Sequence, residues 1–204
     1  MKNRLFIYGA GGLGKEILSL ARALDAWEIA GFIDDGTSAV SVKGISVVGG
    51  AGAIEHLQPD DALVIAIGDP SAKNKIVRAV TREVTWPVLV HPAAIIQERE
   101  SVMLGAGTVV CAGAVLTTDI NVGAHVLLNL NVTVGHDAVI GSFTSVMPGV
   151  NIAGEVKIGE RVLLGSGCNI RNRVTVGNDA RVGMGAVALT DVPGGKTVVG
   201  VPAR

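Results

Sequence analysis

At 204 residues the chain has the length of one or two domains and can bury a real core. Seventeen basic against 18 acidic residues leave a formal charge of -1 with no basic block, which excludes an electrostatic footprint for nucleic acid or an anionic membrane. Hydrophobic residues reach 49% while aromatics stay at 3% and glycines number 28, so the apolar content is Val, Ile, Leu and Ala spaced by Gly, the composition of a repetitive core.

The opening "MKNRLFIYGAGG" runs from charged residues straight into a strand, and no apolar run nears the roughly 18 residues of a membrane span, so neither secretion nor membrane insertion is expected. Cys111 and Cys168 belong to no C-x-x-C pattern and read as free thiols of a reducing compartment, which places the protein in the cytoplasm. Leu5 to Tyr8 reads as a strand, followed by "GAGGLG" and by "KEILSLARAL" with apolar residues at helical spacing. Gly9, Gly11 and Gly14 fit G-x-G-x-x-G, a turn that brings helix N-terminal N–H groups against a diphosphate, although the same glycines also serve simply to tighten a βα turn.

A second strand, "EIAGFI", ends in Asp34 and Asp35, placed to accept from a ribose or a base. The α/β pattern continues through "ALVIAIGD" and the helix-like "SAKNKIVRAVTREV" until Trp86-Pro87 interrupts it. Only one mononucleotide-binding half is present, which favours a nucleoside diphosphate over NAD. The boundary falls after residue 87, leaving 1–87 as a Rossmann-like α/β half domain for a nucleotide sugar and 88–204 as the second domain.

From Leu104 to Val182 every sixth residue is aliphatic, fourteen positions without a slip, and the residue four places later is always small or β-branched. Eight of the fourteen aliphatics are followed by Gly, read here as the residue a corner requires. A period of six is the signature of a β-helix in which short strands and tight corners stack coil upon coil. The motif resembles the β-helix of the hexapeptide acyltransferases, in which three hexads make one triangular coil; by that resemblance residues 18 apart stack at about 4.8 Å, and fourteen hexads predict four to five coils with Cys168 as core filler.

His136 stands at a corner in "LNLNVTVGHDAVIGSF", facing outward beside Asp137, a pairing suited to a general base because a carboxylate favours the imidazolium formed on taking a proton. Gly154, 18 residues on, should stack beside it with its N–H open to a developing oxyanion. The bland reading of His136 is an exposed corner residue, and His125, also expected to face outward, is an alternative base. His56 and His91 read as structural.

The layout resembles the sialic-acid O-acetyltransferase-like family of hexapeptide-repeat sugar acetyltransferases, which includes enzymes that N-acetylate UDP-4-amino sugars. The resemblance is carried by "YGAGGLGKEI", "GFIDD", "IAIGD", "VGHDAVIG", "NIAGEVKIG" and "VGMGAVALTDVPGGKTVVGVPAR". It implies a left-handed parallel β-helix, a homotrimer, acetyl-CoA as donor without a metal, and a sugar or UDP-sugar acceptor in surface polysaccharide or glycan precursor biosynthesis. Gly11, Gly12, Asp34, Asp35 and Gly68 would then hold the nucleotide and Asn129 the acceptor, with His136 as base and Asp137 orienting it. Coenzyme A would touch Gly154, Ala153, Ser166 and Gly167 in a groove between adjacent β-helices. Leu13 and Ser145 stand where family members carry histidines. Two rival readings are a non-catalytic nucleotide-binding trimeric scaffold and a carbonic anhydrase-like β-helix enzyme, which needs three histidines about a zinc ion while only His125 and His136 lie in the repeats.

Overall fold

The computed structural model describes residues 2–204. The first unit is a five-stranded sheet of order β3-β4-β2-β1-β5, with β1 at Asn3–Tyr8, β2 at Trp27–Ile33, β3 at Ser41–Val42, β4 at Ile45–Gly49 and β5 at Ala62–Ile65. All pairs are parallel except the β3–β4 hairpin. Helix α1, Gly12–Leu24, follows β1 because the turn before it is built from glycine. Gly9 holds φ at +106°, and a Cβ on Gly14 would come 2.0 Å from the Gly9 carbonyl oxygen, so no larger residue lets the helix sit this close to the strand end.

Helix α2 covers Pro70–Ala79, started by Asp69, whose side chain accepts from the Ala72 N–H. The helical pattern expected to run on to Val84 stops five residues short. Thr85 instead bridges to Ala62 and its carbonyl accepts from Leu63 N–H, so sheet pairing outcompetes a β-branched tail with poor helix propensity.

From Leu89 the chain winds into a parallel β-helix with three flat faces. The first face runs from Ile95–Ile96 to Val187–Ala188 in six strands, the second from Val102–Leu104 to Thr175–Val176 in five, and the third from Leu89–Val90 to Thr197–Val198 in seven. From Val102 to Ala188 the Cα register within each face is 18 residues, as in Thr133↔Asn151 and Leu127↔Ser145. The four to five expected coils undercount. The prism already starts at Leu89, and across the turn at 97–101 the register widens to 20, as in Ile95↔Val115, which hides the first strands from a strict period of six.

Inside the prism, thirteen of the fourteen aliphatic positions and all fourteen residues four places later are buried, with Cys168 fully enclosed. A polar group in that core is tolerated where it is bonded: Thr108 and Thr144 each donate to a glycine carbonyl, of Gly123 and Gly159.

The corners correct the role given to glycine. The left-handed residue is the one three places after each aliphatic, and it is commonly not Gly: Asp119, His125, Asn131, Asp137, Phe143, Glu155, Arg161, Arg173 and Asp179 all have φ between 50° and 65°. The glycines directly after the aliphatics are needed for closeness instead. A Cβ on Gly135 would lie 2.6 Å from the Gly154 nitrogen, and one on Gly141 2.5 Å from the Gly159 carbonyl carbon.

The α/β unit sits on the third face, where Ile17, Leu18 and Leu20 of α1 share a cluster with Leu89, Val109, Cys111 and Leu127. Two polar links start in the first turn of α2. Asp69 accepts from Arg181 at 2.9 Å, and Lys73, only 2% exposed, donates to Ser145 Oγ at 3.1 Å. Burial pulls the Lys73 ammonium down to about 7, opposed by the charge of Asp69.

His125 does not face solvent as expected. It is 6% exposed, stacked on Phe143 with centroids 5.2 Å apart and met edge-on by Trp86 at 4.8 Å, because left-handed corner side chains lie along the prism against the next coil. Its Nδ1 has no partner among the described residues. Burial, with the nearby Lys73 charge, pushes it down to about 4 from 6.5. Between these values the unfolded chain binds the proton and the folded chain does not, so the contribution of His125 to stability is complete above pH 6.5 and falls as pH drops toward 4. Lys73 acts with the same sign between pH 7 and 10.5. Thermal unfolding from pH 7 to 4 should therefore show a loss on the order of 2–3 kcal/mol that His125→Leu largely removes. An unaltered slope in that variant would count against the assignment.

Candidate active site

The carboxyl ends of β1, β2 and β5 meet around the glycine turn. Gly9 N–H donates to Ile33 O, Ala66 N–H to Tyr8 O, and Ala10 N–H to Asp34 Oδ2 at 2.7 Å. This brings Gly11, Gly12, Asp34 and Gly68 to one crevice edge, the place where open α/β sheets take ligands. Gly11 is the N-cap of α1 and Gly12 its first residue; a Cβ on either would meet nothing within 4 Å, so space lies open above them.

The two aspartates are not idle acceptors. Asp34 spends its carboxylate on the backbone N–H groups of Ala10, Gly36 and Thr37, and so shapes the loop. Asp35 accepts from Tyr8 OH and, at 2.7 Å, from Ala51 N–H, and these bonds hold its carboxyl below the usual range. The Tyr8 hydroxyl is pushed up to about 12, first by burial and then by Asp35. Asp35 itself remains exposed at the mouth of the crevice.

His136 occupies the corner between the first and second faces. Its Nδ1 lies 2.7 Å from Asp137 Oδ2, and both side chains are more than half exposed, at 57% and 58%. With Nδ1–H donating to the carboxylate, the free lone pair is on Nε2. That atom lies against Gly154, since a Cβ there would come 2.5 Å from Nε2 and 2.7 Å from Cε1. The Gly154 N–H has no acceptor among the described residues, while the N–H groups on either side bind Ile170 O and His136 O. An open donor thus sits beside an oriented base, the pair needed to take a proton and hold a developing oxyanion.

Next to this corner an open depression of about 480 Å³ is lined by Asp137, Glu155, Lys157, Arg173 and Thr175. Arg173 donates to both oxygens of Glu155 at 3.0–3.1 Å. The residues expected around coenzyme A divide. Ala153 and Gly154 flank the His136 edge of the first face, whereas Ser166 and Gly167 turn the corner at its opposite edge, as does the segment after Asn129. Asn129 is buried and its Oδ1 accepts from Leu130 N–H at 2.7 Å. Ser145 is buried under Lys73 on the third face, away from the His136 corner. Glu155 and Arg173 escaped the sequence reading although they lie 18 residues apart and the stacking rule would have paired them. Nothing in the sequence of α2 announces the burial of Lys73.

A hexapeptide prism carrying an oriented histidine over an open amide, joined to a half-Rossmann crevice, is the construction of a β-helix acyltransferase with a nucleotide-binding head. Residues 4–80 match the family model described as the PglD N-terminal domain, and residues 137–172 and 155–188 match that of the bacterial transferase hexapeptide. The acetyltransferase domain of PglB from Neisseria gonorrhoeae FA1090, solved with acetyl coenzyme A, is 33% identical over 100% of this chain and 99% of its own, with a TM-score of 0.94. PerB from Caulobacter crescentus, solved with CoA and GDP-perosamine, is 32% identical over 99% and 96%, TM-score 0.92. WeeI from Acinetobacter baumannii AYE is 31% identical over 100% and 99%, TM-score 0.89. The chain belongs to the hexapeptide-repeat sugar acetyltransferases that carry a PglD-type N-terminal domain.

Proposed function

We propose that this protein transfers the acetyl group of acetyl-CoA to an amine or hydroxyl of a nucleotide-linked sugar, in the cytoplasmic synthesis of surface polysaccharide or glycan precursors. The observation that carries it is the His136 ring, held by Asp137 and set over the unbonded Gly154 N–H. His136 Nε2 takes the acceptor's proton as its nitrogen or oxygen attacks the thioester carbonyl; the Gly154 N–H holds the oxyanion; the C–S bond breaks and the thiolate leaves with the proton from the imidazolium. Likeness to chains solved with acetyl coenzyme A and with GDP-perosamine supports both substrates.

Residues 1–87 hold the nucleotide and 88–204 the transfer site. The active unit is a trimer, a reading supported by the split of the cofactor residues: a ligand lying between neighbouring prisms meets the His136 edge of one and the Ser166 edge of the next. Exposed Met184, Val199 and Val201 near the end of the prism offer apolar contact surface. Two buried free thiols suit a reducing compartment, and no helix among the described residues is long and apolar enough to cross a membrane.

The test is acetyl transfer from acetyl-CoA to UDP-, GDP- and dTDP-linked amino sugars, the unmodified sugar nucleotides and free sialic acid. Turnover of none of them overturns the proposal. Calorimetry should show a sugar nucleotide binding and no NAD, with Asp35→Ala weakening the nucleotide at least about tenfold, since it frees Tyr8 and the Ala51 amide together, and leaving acetyl-CoA affinity in place. Tight NAD binding would refute the nucleotide assignment.

A further inference from the structure

The His136 corner belongs to a column of left-handed residues one coil apart: Asp119, Asp137, Glu155 and Arg173. Backbone bonds fix the stack, Asp137 N–H to Thr118 O, Glu155 N–H to His136 O at 2.8 Å and Arg173 N–H to Gly154 O. Three carboxylates therefore follow one another at about 4.8 Å spacing, with the imidazole bonded to the middle one. Such a column offers the ring N–H acceptors other than Asp137, and an imidazole turned toward one of them no longer presents Nε2 to the attacking group. Arg173 is the one cation in the column, and it closes on Glu155 through both carboxylate oxygens.

We propose that Arg173 is a positioning residue for the base: by clamping Glu155 it neutralises that acid beside His136, so that Asp137 alone orients the imidazole. The inference rests on His136 being the base. The Arg173 hydrogen bonds hold the Glu155 carboxyl below its usual range, so the acid stays charged and paired with the guanidinium. The charged groups around this corner are Asp137, bonded to the ring, Asp119 and Glu98, both bonded by Thr118 on the preceding side, and Glu155, Lys157 and Arg173, which line the depression beside Asp137. Glu155 adjoins His136 through its N–H bond to the His136 carbonyl, and the Glu155–Arg173 pair can be removed without touching Asp137.

The signs are fixed by charge. Arg173→Gln leaves Glu155 bare, favours the imidazolium, and moves the acid limb of the kcat/KM–pH profile to higher pH. Glu155→Gln leaves the arginine bare and moves it to lower pH. At low ionic strength each shift should be about half a pH unit, shrinking in 0.5 M salt, as expected for a single charge within a Debye length near water. The double variant Glu155→Gln/Arg173→Gln should return the limb close to wild type. Thermal unfolding is followed in parallel, and His136→Asn is assayed alongside. Opposite shifts that cancel in the double variant support the role. A limb that stays in place in Arg173→Gln while His136→Asn is inactive overturns it, as does a fall in kcat and melting midpoint at every pH without movement of the limb. Retained turnover in His136→Asn instead removes the base assignment, and this proposal with it.

Discussion

Replacing His136 with alanine should lower kcat by about 10²- to 10⁴-fold, the usual contribution of a positioned general base, while acetyl-CoA affinity changes little. The ring is more than half exposed, so its removal opens no cavity in the prism and the melting midpoint should hold. Asp137→Asn should cost less, because an amide can still meet Nδ1 but no longer stabilises the imidazolium and can present the wrong tautomer partner. His125→Ala is a control with the opposite profile: buried against Trp86 and Phe143, it should lose stability and keep chemistry. If His125→Ala abolished turnover in folded protein while His136→Ala kept it, the base would have been misassigned.

Gly154→Ala, one methyl group, should cost turnover of the same order. The backbone of Gly154 is not left-handed, so alanine is conformationally acceptable there. Its Cβ, however, would fall 2.5, 2.7 and 2.9 Å from Nε2, Cε1 and Cδ2 of His136, closer than such atoms approach. The imidazole is free to swing toward solvent, so the fold survives, but the swing breaks the 2.7 Å bond to Asp137 and carries Nε2 away from the amide. A misplacement of about 1 Å suffices to cost about 10²-fold. Kinetics and thermal melting together check this: wild-type kcat in Gly154→Ala would show that the ring does not work from this position.

How far these positions were legible follows from which rule governs them. The prism and the His136–Gly154 pair could be read because stacking has one period: 18 residues separate neighbours, whatever the side chains. The same rule failed at 97–101, where the register widens between Ile96 and Val102 and the strands before it drop out of phase. His125 was misplaced because distance along the hexad was taken to decide exposure, while the left-handed corner turns that side chain onto the next coil, under Trp86 from outside the repeat. Glycine was given the wrong duty for a related reason, since tight corners suggest backbone freedom and the structure asks for absence of a Cβ. Lys73 was beyond reach, because its burial is decided by how α2 lands on the third face, a contact across 72 residues with no local pattern.

Because the histidine and the amide it overlies belong to successive coils, neither the coil of residues 127–140 nor that of 145–158 contains a working site. Stacked repeats propagate by adding one layer to the last, so catalytic competence is acquired at a single layer-closing event and is lost when that layer opens, even if the ends of the prism stay zipped. Chemistry here is a local reporter of solenoid integrity: titration with denaturant should extinguish activity together with amide protection at Gly135 to Glu155, and not with fraying at Val198.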